Sequence, residues 1–294
     1  MMKRFATDAL INAILQWSPE RVRAVLALNP GIVNEHNSDG FLPLHAAAQE
    51  NSPEISTLLL LNGADPNGLA VVETQVDGAQ YREALIKRGI DPNTRMISVQ
   101  MVTPLFIASI NGYSEVVRVL VEAGADPDVG FLHKATPLYI ACQRNRLETA
   151  QLLLSLGAKV DLALEDGATP LFIASQEGHE RVVRLLLNNG ADVGRRLTEN
   201  NQSTSLQVAS QFGHVGVVEL LVKNGAYLNA TNKEGFSALA TACYWGRYAV
   251  AAFLLKAGAN PDLPCHNGLT ALKAATLRGH PEIVQLLTSA GANG

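Results

Sequence analysis

Aromatic side chains are scarce in this sequence of 294 residues. They make up 5% of the chain, although hydrophobic residues as a whole make up 47%. The apolar core must therefore consist mainly of Leu, Val, Ile and Ala. These side chains are small and similar, and a chain of this length exceeds what one ordinary core encloses. The composition favours many small, similar helices over one large globular core.

Cysteine is also rare, with three residues in the chain. An odd number in a chain of this length argues against a disulfide framework and predicts reduced thiols. Cys142 and Cys243 fall on the same position of a repeat, described below, where other units carry Ala or Ser, so we interpret them as small core residues. Cys265 precedes His266, but two adjacent residues without further partners are weak evidence for a metal site, and we predict none.

A strong charge of one sign and a long apolar run are both missing. The 23 basic and 27 acidic residues give a net charge of −4, which provides no electrostatic attraction for nucleic acid or an anionic membrane. No apolar run approaches the roughly 20 residues that span a bilayer. Near the start, Asp8 and Asn12 interrupt the apolar residues, so no secretory signal is expected. We therefore expect a cytoplasmic protein, with the nucleus or a host cytosol as alternatives, and neither a membrane nor a nucleic-acid partner.

Two sequence markers recur with one spacing. Triplets that begin with Thr or Ser and end with Leu start at positions 103, 136, 169, 204, 237 and 270, in steps of 33 residues with one step of 35. Glycines keep the same spacing, including the single longer step, at positions 124, 157, 190, 225, 258 and 291. Two independent markers with the same irregularity are not a coincidence, so the chain is built from repeats.

Each repeat is predicted to contain two antiparallel helices followed by a hairpin-like loop. A Thr or Ser at the N-cap accepts hydrogen bonds from backbone N–H groups. The Pro that often follows has no backbone N–H, but at the first helical position that N–H would have no acceptor within the helix. The first helix is short and rich in Ala, whereas the second carries an apolar stripe, for example Val182, Val183 and Leu186. One such unit cannot bury both of its faces, so neighbouring units must stack.

The repeat resembles the ankyrin repeat family. Residues 39–48, Asp-Gly-Phe-Leu-Pro-Leu-His-Ala-Ala-Ala, and residues 178–183, Gly-His-Glu-Arg-Val-Val, lie close to the family pattern. The resemblance implies an all-α solenoid of stacked helix-turn-helix units joined by hairpin-like loops, forming a single domain over 1–294. It also implies a protein that binds another protein, with no catalytic residues and no cofactor. The clear units are predicted at 39–67, 101–128, 134–161, 167–194, 202–229, 235–262 and 268–293.

Some positions depart from the family pattern. The histidine that the family uses structurally is kept only at His45, so we expect altered local packing in the other units. The equivalent positions hold Phe106, Tyr139, Phe172, Gln207, Ala240 and Lys273. A second shared position holds His179, His214 and His280, where the family uses histidine to brace the turn between helices.

Two segments diverge from the repeat. Residues 5–34 contain a Ser-Pro-Glu helix start and an apolar stripe, and we predict a divergent N-terminal capping unit there. In 68–100 the glycine spacing shortens, which predicts a degenerate irregular repeat. For it we expect a truncated helix near Leu69–Gln75, a second helix near Ala79–Arg88 and a longer loop at Thr94–Gln100.

Motifs that carry chemistry are missing. The sequence contains no phosphate-binding loop, dinucleotide-binding fingerprint, nucleophile elbow or His-Glu-x-x-His zinc pattern. The irregular segment 68–100 is too short to build a catalytic pocket of its own. Asn67, Asn93 and Asn229 share a loop position and are interpreted as turn residues that bond their own backbone. We therefore predict no enzyme activity in this chain.

A candidate binding surface follows from the family resemblance, because similar stacks bind through loop tips and the concave face of the first helices. The two residues before the turn that ends each first helix should face that groove. They are mostly polar in the N-terminal half, but from Gln211 onward they include three aromatics, a leucine and an arginine. Such a composition is typical of binding hot spots. The predicted protein-binding residues are Gln143, Arg144, Gln176, Gln211, Phe212, Phe236, Tyr244, Trp245, Leu277 and Arg278.

Alternatives stay open at this point. The aromatic residues could instead pack against neighbouring loops and stiffen the stack, and a second apolar tip at 131–133 is a weaker binding candidate. The leading function is an interaction module, as an adaptor, an inhibitor or a pathogen effector, and a monomer is expected. The alternative is a regulatory or targeting subunit or domain of an enzyme whose catalytic part lies elsewhere.

Overall fold

The computed structural model describes residues 2–37, 40–75, 97–130, 134–198 and 201–293. The chain divides into two compact units, Met1–Leu132 and His133–Gly294. Each unit is built from stacked helix pairs. The predicted single domain over 1–294 stays a prediction.

The described residues of the first unit form three helix pairs. They are α1 (Met2–Leu15) with α2 (Pro19–Leu28), α3 (Pro43–Gln49) with α4 (Pro53–Leu61), and α5 (Pro104–Asn111) with α6 (Ser114–Glu122), and a short 3-10 helix lies at Pro30–Ile32. The hydroxyl of Ser18 caps α2 by accepting a hydrogen bond from Arg21 N, as its Ser-Pro-Glu sequence predicts. Helix α1 packs on α3 and α2 on α4, while α3 packs on α5 and α4 on α6.

Two antiparallel strands lie between α4 and α5. Strand β1 (Ala70–Gln75) pairs with β2 (Ile97–Val102), with Ala70 opposite Val102 at one end and Gln75 opposite Ile97 at the other. The strand pair is an insertion between two helix pairs that pack directly on each other, α3 on α5 and α4 on α6. The helix pairs on either side of the strands are therefore direct neighbours.

The helix predicted near Leu69–Gln75 was wrong, and the loop predicted at Thr94–Gln100 was wrong from Ile97 onward, because both stretches form strands. Both strands are rich in Val, Ile and Thr, whose branched Cβ atoms restrict rotamers in a helix but pack well on a pleated sheet. The strand pair is the one departure from an all-α fold in the described ranges. The second helix predicted near Ala79–Arg88 lies outside the described residues.

Five helix pairs lie within 134–198 and 201–293 of the second unit. They are α7 (Pro137–Gln143) with α8 (Leu147–Ser155), α9 (Pro170–Gln176) with α10 (Glu180–Asn188), α11 (Ser205–Phe212) with α12 (Val215–Lys223), α13 (Ala238–Tyr244) with α14 (Tyr248–Lys256), and α15 (Ala271–Arg278) with α16 (Pro281–Ser289). First helices pack on first helices and second on second along the unit. This order is the predicted stack of repeats.

The predicted N-caps start every first helix of the second unit. Each hydroxyl accepts a hydrogen bond from the backbone N–H three residues on, as Thr136 does from Tyr139 N at 3.1 Å. The capping residues are Thr136, Thr169, Thr204, Ser237 and Thr270. The apolar stripe of the second helices is buried as expected, since Val182, Val183 and Leu186 have no exposed surface. Local capping and stripe burial thus act together in each repeat.

In the last four repeats of the second unit, one side chain bonds to the end of the previous first helix. His179 Nε2 lies 3.1 Å from Gln143 O and His214 Nε2 lies 2.9 Å from Gln176 O. Arg247 Nε donates to Gln211 O at 2.9 Å, and His280 Nε2 lies 3.2 Å from Tyr244 O. The predicted bracing by the three histidines is confirmed. Arg247 makes the equivalent contact in the repeat between those of His214 and His280. We call these four contacts the carbonyl ladder.

The carbonyl ladder explains two glycines of the turns. A Cβ atom on Gly178 would lie 2.6 Å from His214 Nδ1, and one on Gly246 would lie 2.7 Å from His280 Cε1. Both glycines also have positive φ angles, which residues with a Cβ adopt only with strain. Glycine is therefore needed there for its conformation and for its lack of a side chain.

The loop asparagines bond to the next repeat and not to their own backbone. Asn67 donates from Nδ2 to Gly124 O at 3.0 Å and accepts from Asp126 N at 2.9 Å. Asn229 accepts from Asn260 N at 2.9 Å. The interpretation as self-bonded turn residues was therefore wrong for Asn67 and Asn229, while Asn93 lies outside the described residues.

The cysteines are buried and free. Burial raises the pKa of the Cys142 and Cys243 thiols, so both stay protonated and behave as small core residues, as predicted. Within the described ranges, no group of three His, Cys, Asp or Glu side chains could hold a metal ion. No helix of the described part of the chain has the length and apolar character to cross a membrane.

Candidate protein-binding site

An open groove of about 470 Å³ runs along the last three repeats of the second unit. Its helical side is formed by residues at the C-terminal ends of α11, α13 and α15, including Gln211, Tyr244 and Leu277. Its other side is formed by the loops that lead into these helices, including Asn232 and Phe236. We refer to it as the C-terminal groove.

An aromatic cluster lines this groove. The rings of Phe236 and Tyr244 meet edge to face with centroids 5.8 Å apart, and those of Tyr244 and Trp245 do so at 5.6 Å. This geometry is the preferred one for aromatic pairs and contributes about 1 kcal/mol per pair beyond buried area. The sequence places Phe236 in a loop and the other two at a helix end, so the cluster also ties the loop to the helix.

Arg278 lies over the same rings. Its Cζ atom is 4.6 Å from the centroid of Tyr244 and 5.9 Å from that of Trp245. Cation–π contacts at such exposed positions contribute roughly 0.5–1 kcal/mol. No carboxylate of the described residues lies within 4.0 Å of the Arg278 guanidinium. The positive charge at this end of the groove is therefore held by aromatic faces and not by an ion pair.

Part of this cluster stays open to solvent. Trp245 exposes 43% of its surface and Leu277 exposes 71%, while Tyr244 is half-buried. Tyr244 thus packs against the loop residue Phe236 and also lines the groove, and protein binding by these aromatic residues stays a prediction. Well-packed aromatic side chains with exposed apolar edges are typical of the residues that dominate binding at protein interfaces.

Phe212 takes a separate place among the predicted residues. It is 45% exposed and stacks on the ring of His214 with centroids 6.3 Å apart. It does not belong to the residues that line the C-terminal groove. The structure therefore brings together Gln211, Phe236, Tyr244, Trp245, Leu277 and Arg278, and places Phe212 beside them on a carbonyl-ladder histidine.

The other three predicted residues lie nearer the start of the second unit. Gln143 and Gln176 are half-buried, and their main-chain carbonyls accept the bonds of the carbonyl ladder. The Gln176 side chain donates to Glu177 Oε1 at 3.1 Å, and Arg144 is exposed at the end of α7. None of these three residues lines the C-terminal groove. The second apolar tip predicted at 131–133 lies outside the described residues.

Sequence reasoning missed the polar side of the groove. Asn201, Asn232 and Asn267 line it, and each uses Oδ1 to accept a backbone N–H of its own turn. Each amide therefore keeps its Nδ2 group as a donor for a ligand. The available signal was an Asn shortly before each helix cap, which by itself looks like ordinary turn chemistry.

Hydrogen bonds between successive loops fix this polar side. Lys233 N donates to Asn201 O at 2.8 Å, and His266 N donates to Glu234 O at 3.0 Å. Gln207 anchors the same wall from below, with its Nε2 2.6 Å from Phe236 O and 3.1 Å from Ala230 O. A groove whose walls are bonded in advance loses less conformational entropy when a ligand binds.

The repeats, caps and loops together define an ankyrin-repeat stack, and the chain belongs to the ankyrin repeat family. The model of ankyrin repeats in three copies matches residues 79–163, 105–197, 157–232 and 206–294, and the model of a single ankyrin repeat matches 39–70. The predicted family and the repeat solenoid are thereby confirmed. Ankyrin repeats are generally modules for protein–protein interaction.

Individual relatives are similar over part of their length. Alpha-latrocrustotoxin-Lt1a of Latrodectus tredecimguttatus is 30% identical over 119 residues, which cover 37% of this chain and 8% of that protein. An ankyrin repeat domain from Acinetobacter baumannii AYE, known from a crystal structure, is 32% identical with a TM-score of 0.59, over 65% of this chain and 98% of that one. The chain thus spans a small fraction of the curated relative but nearly the whole of the solved domain.

Proposed function

We propose that this protein binds a partner protein through the C-terminal groove. The observation that carries the proposal is the aromatic cluster of Phe236, Tyr244 and Trp245, capped by Arg278 and exposed at its edges. Aromatic and arginine anchors of this kind dominate the binding energy of protein interfaces. A long partner segment that continues beyond the groove would meet the predicted residues of the earlier repeats, Gln176, Gln143 and Arg144, in turn.

The role served by this binding is that of an adaptor, an inhibitor or a pathogen effector, acting as a monomer in a cytoplasm, a nucleus or a host cytosol. The alternative is a regulatory or targeting part of an enzyme system whose catalytic chain lies elsewhere. One observation favours keeping that alternative: the stretch that matches this chain is only 8% of Alpha-latrocrustotoxin-Lt1a, so a similar segment occurs within a much longer protein. In both cases the recognition step is the same.

A capture experiment tests the proposed site. Immobilised wild-type protein and a variant with Phe212→Ala, Tyr244→Ala and Trp245→Ala are exposed to the same lysate, and circular dichroism verifies that both are folded. The matched control carries Tyr227→Ala and Tyr248→Ala, which remove exposed aromatic rings that do not line the groove. We expect a protein that the wild type and the control retain and the triple variant loses.

Other results would locate the site differently. Equal capture by all three proteins would move the site to the loop tips or to the earlier repeats. Loss of helical signal in the triple variant alone would show that the aromatics are structural, and the proposed site would be abandoned.

A further inference from the structure

We propose that the C-terminal groove selects partner segments that carry a carboxylate side chain next to an apolar one, and that Arg278 is the residue that reads the carboxylate. This inference rests on the proposed function, since it names the chemistry of the partner at the same groove. Arg278 is here a specificity-determining residue.

Two aromatic rings fix the position of Arg278. Its Cζ atom lies 4.6 Å above one ring centroid and 5.9 Å from the other, so the aromatic side chains of Tyr244 and Trp245 hold the guanidinium in place. A guanidinium has all its N–H donors in the plane of the group, so these donors can bond a ligand while the face of the group contacts a ring. A carboxylate can accept two of these bonds side by side.

The charge of Arg278 is not balanced by a carboxylate of the described residues. The acidic residue that lines the groove is Glu234, and neither it nor any other carboxylate of the described residues pairs with Arg278. A partner carboxylate therefore meets a positive charge at Arg278 that it can pair with, whereas a partner lysine or arginine meets repulsion.

Two exposed apolar side chains lie beside Arg278. Leu277 precedes it in the sequence, and the Trp245 ring centroid lies 5.9 Å from its Cζ atom; both expose large apolar surfaces. An apolar side chain of the partner that covers them removes water from the arginine, which strengthens the ion pair. Along the rest of the groove, Gln211 and Asn232 supply amide groups that suit the main chain of an extended segment.

The test uses a phage-displayed library of random-sequence peptides, selected separately on the full-length wild type, on Arg278→Gln and on the variant with Phe212→Ala, Tyr244→Ala and Trp245→Ala. Arg184→Gln, an exposed arginine on the second helix of another repeat, is the matched control. We expect the wild-type pool to be enriched in Asp and Glu beside apolar residues. Synthetic peptides from that pool should bind Arg278→Gln about tenfold more weakly or worse, and Arg184→Gln as they bind wild type.

A charge reversal sharpens the test. Arg278→Glu should bind the acidic peptides least and should select a pool enriched in Lys and Arg. The acidic peptides should also bind wild type more weakly as the salt concentration rises, because part of the ion pair faces solvent.

The outcomes separate this inference from the proposed function. If peptides are lost on the triple variant but bind Arg278→Gln as they bind wild type, the groove binds protein and the carboxylate preference is wrong. If the wild type selects no peptides that the triple variant fails to select, both the groove and the preference are wrong. Concentration-dependent self-association of wild type that Arg278→Gln abolishes would also overturn the inference, in favour of a second copy of this chain as the occupant.

Discussion

Gln207 takes in the second unit the position that His45 takes in the first, and the two side chains reach equivalent atoms. His45 Nε2 lies 2.7 Å from Val102 O, and Gln207 Nε2 lies 2.6 Å from Phe236 O. Each acceptor is the carbonyl just before the N-cap of the following first helix. The pair differs at the other ring or amide atom: Gln207 Oε1 accepts from Thr204 N at 2.8 Å, whereas His45 Nδ1 has no partner among the described residues.

This equivalence predicts a pH effect that glutamine should remove. Burial lowers the pKa of His45 from 6.5 to about 4, although its bond to Val102 O opposes the shift. The unfolded chain therefore binds a proton below about pH 6.5 that the folded chain refuses, so stability falls as pH falls from about 6.5 to about 4. The loss is on the order of 3 kcal/mol.

We expect His45→Gln to be folded near neutral pH and to lose less stability than wild type on acidification. Urea unfolding of both proteins at about pH 7 and about pH 4.5 measures the difference, which cancels the carboxylates that titrate in both. Parallel stability curves over this range would show that His45 is not the group that titrates.

A second prediction concerns the support that Gln207 gives to the groove. Gln207→Leu removes the donor to Ala230 O and Phe236 O and also the acceptor of Thr204 N, and should destabilise the protein by about 3 kcal/mol, at about 1 kcal/mol per lost bond. Leucine is about the right size, since other repeats carry large apolar residues there. Gln207→His should restore the bond to Phe236 O, as His45 makes its equivalent.

Denaturant melting of the two Gln207 variants, together with capture of the partner, provides the readout. Because the Phe236 loop forms one wall of the C-terminal groove, Gln207→Leu should weaken capture more than Gln207→His does. If both variants melt and bind like wild type, the bond to Phe236 does not hold the wall.

A third prediction separates the two reasons for glycine in the turns. Gly178 and Gly190 have similar positive φ angles of 76° and 82°, but only Gly178 faces His214. Gly190→Ala should cost about 1–2 kcal/mol from backbone strain. Gly178→Ala should cost at least about 1 kcal/mol more, since the new methyl group must displace the ring that bonds Gln176 O.

Chemical unfolding of these two alanine variants under identical conditions gives the comparison. Equal destabilisation would mean that the histidine ring moves aside freely, and the carbonyl ladder would then contribute little at this place.

A fourth prediction uses the two loop asparagines. Asn229 only accepts a bond from the next repeat, and Asp161 at the equivalent position accepts one from Asp192 N at 3.0 Å. Asn229→Asp should therefore be nearly neutral. Asn67 also donates to Gly124 O, so Asn67→Asp loses a donor and places a carboxylate against a carbonyl, with a cost of about 1 kcal/mol or more.

Thermal melting of the two aspartate variants decides this point. A larger loss for Asn229→Asp than for Asn67→Asp would contradict the assignment of donor and acceptor atoms.

Much of the fold can be predicted from the sequence because the same local signals recur in successive repeats. Each Thr or Ser cap, each turn glycine and each apolar stripe has counterparts one period away, so a weak local signal becomes a strong one. The segment 70–75 has no such counterpart in the other repeats, and the repeat pattern suggested a helix where Val71, Val72 and Thr74 favour a strand. Comparison with neighbouring repeats therefore supported the predicted helices in the regular units, but misled the prediction for this segment, which departs from the repeat.

The candidate site divides in the same way. Tyr244, Trp245 and Leu277 could be found because they break the mostly polar pattern at two adjacent repeat positions. The contact of Arg278 with two rings, and the role of Gln207 beneath Phe236, depend on distances between repeats that periodicity does not contain. The groove asparagines could not be identified as site residues for a different reason. An Asn at such a position is already explained by the hydrogen bonds that it makes within its own turn.

The carbonyl ladder has a consequence for how such a protein can change over evolutionary time. Its acceptors are main-chain atoms of Gln143, Gln176, Gln211 and Tyr244, the residues predicted to face a ligand. Every amino acid has the same main-chain carbonyl. A mutation at one of these positions can therefore change the side chain that faces a ligand, while the hydrogen bond from the next repeat to the carbonyl is kept. Heritable variation in ligand choice is thereby uncoupled from the bonds that keep adjacent repeats together.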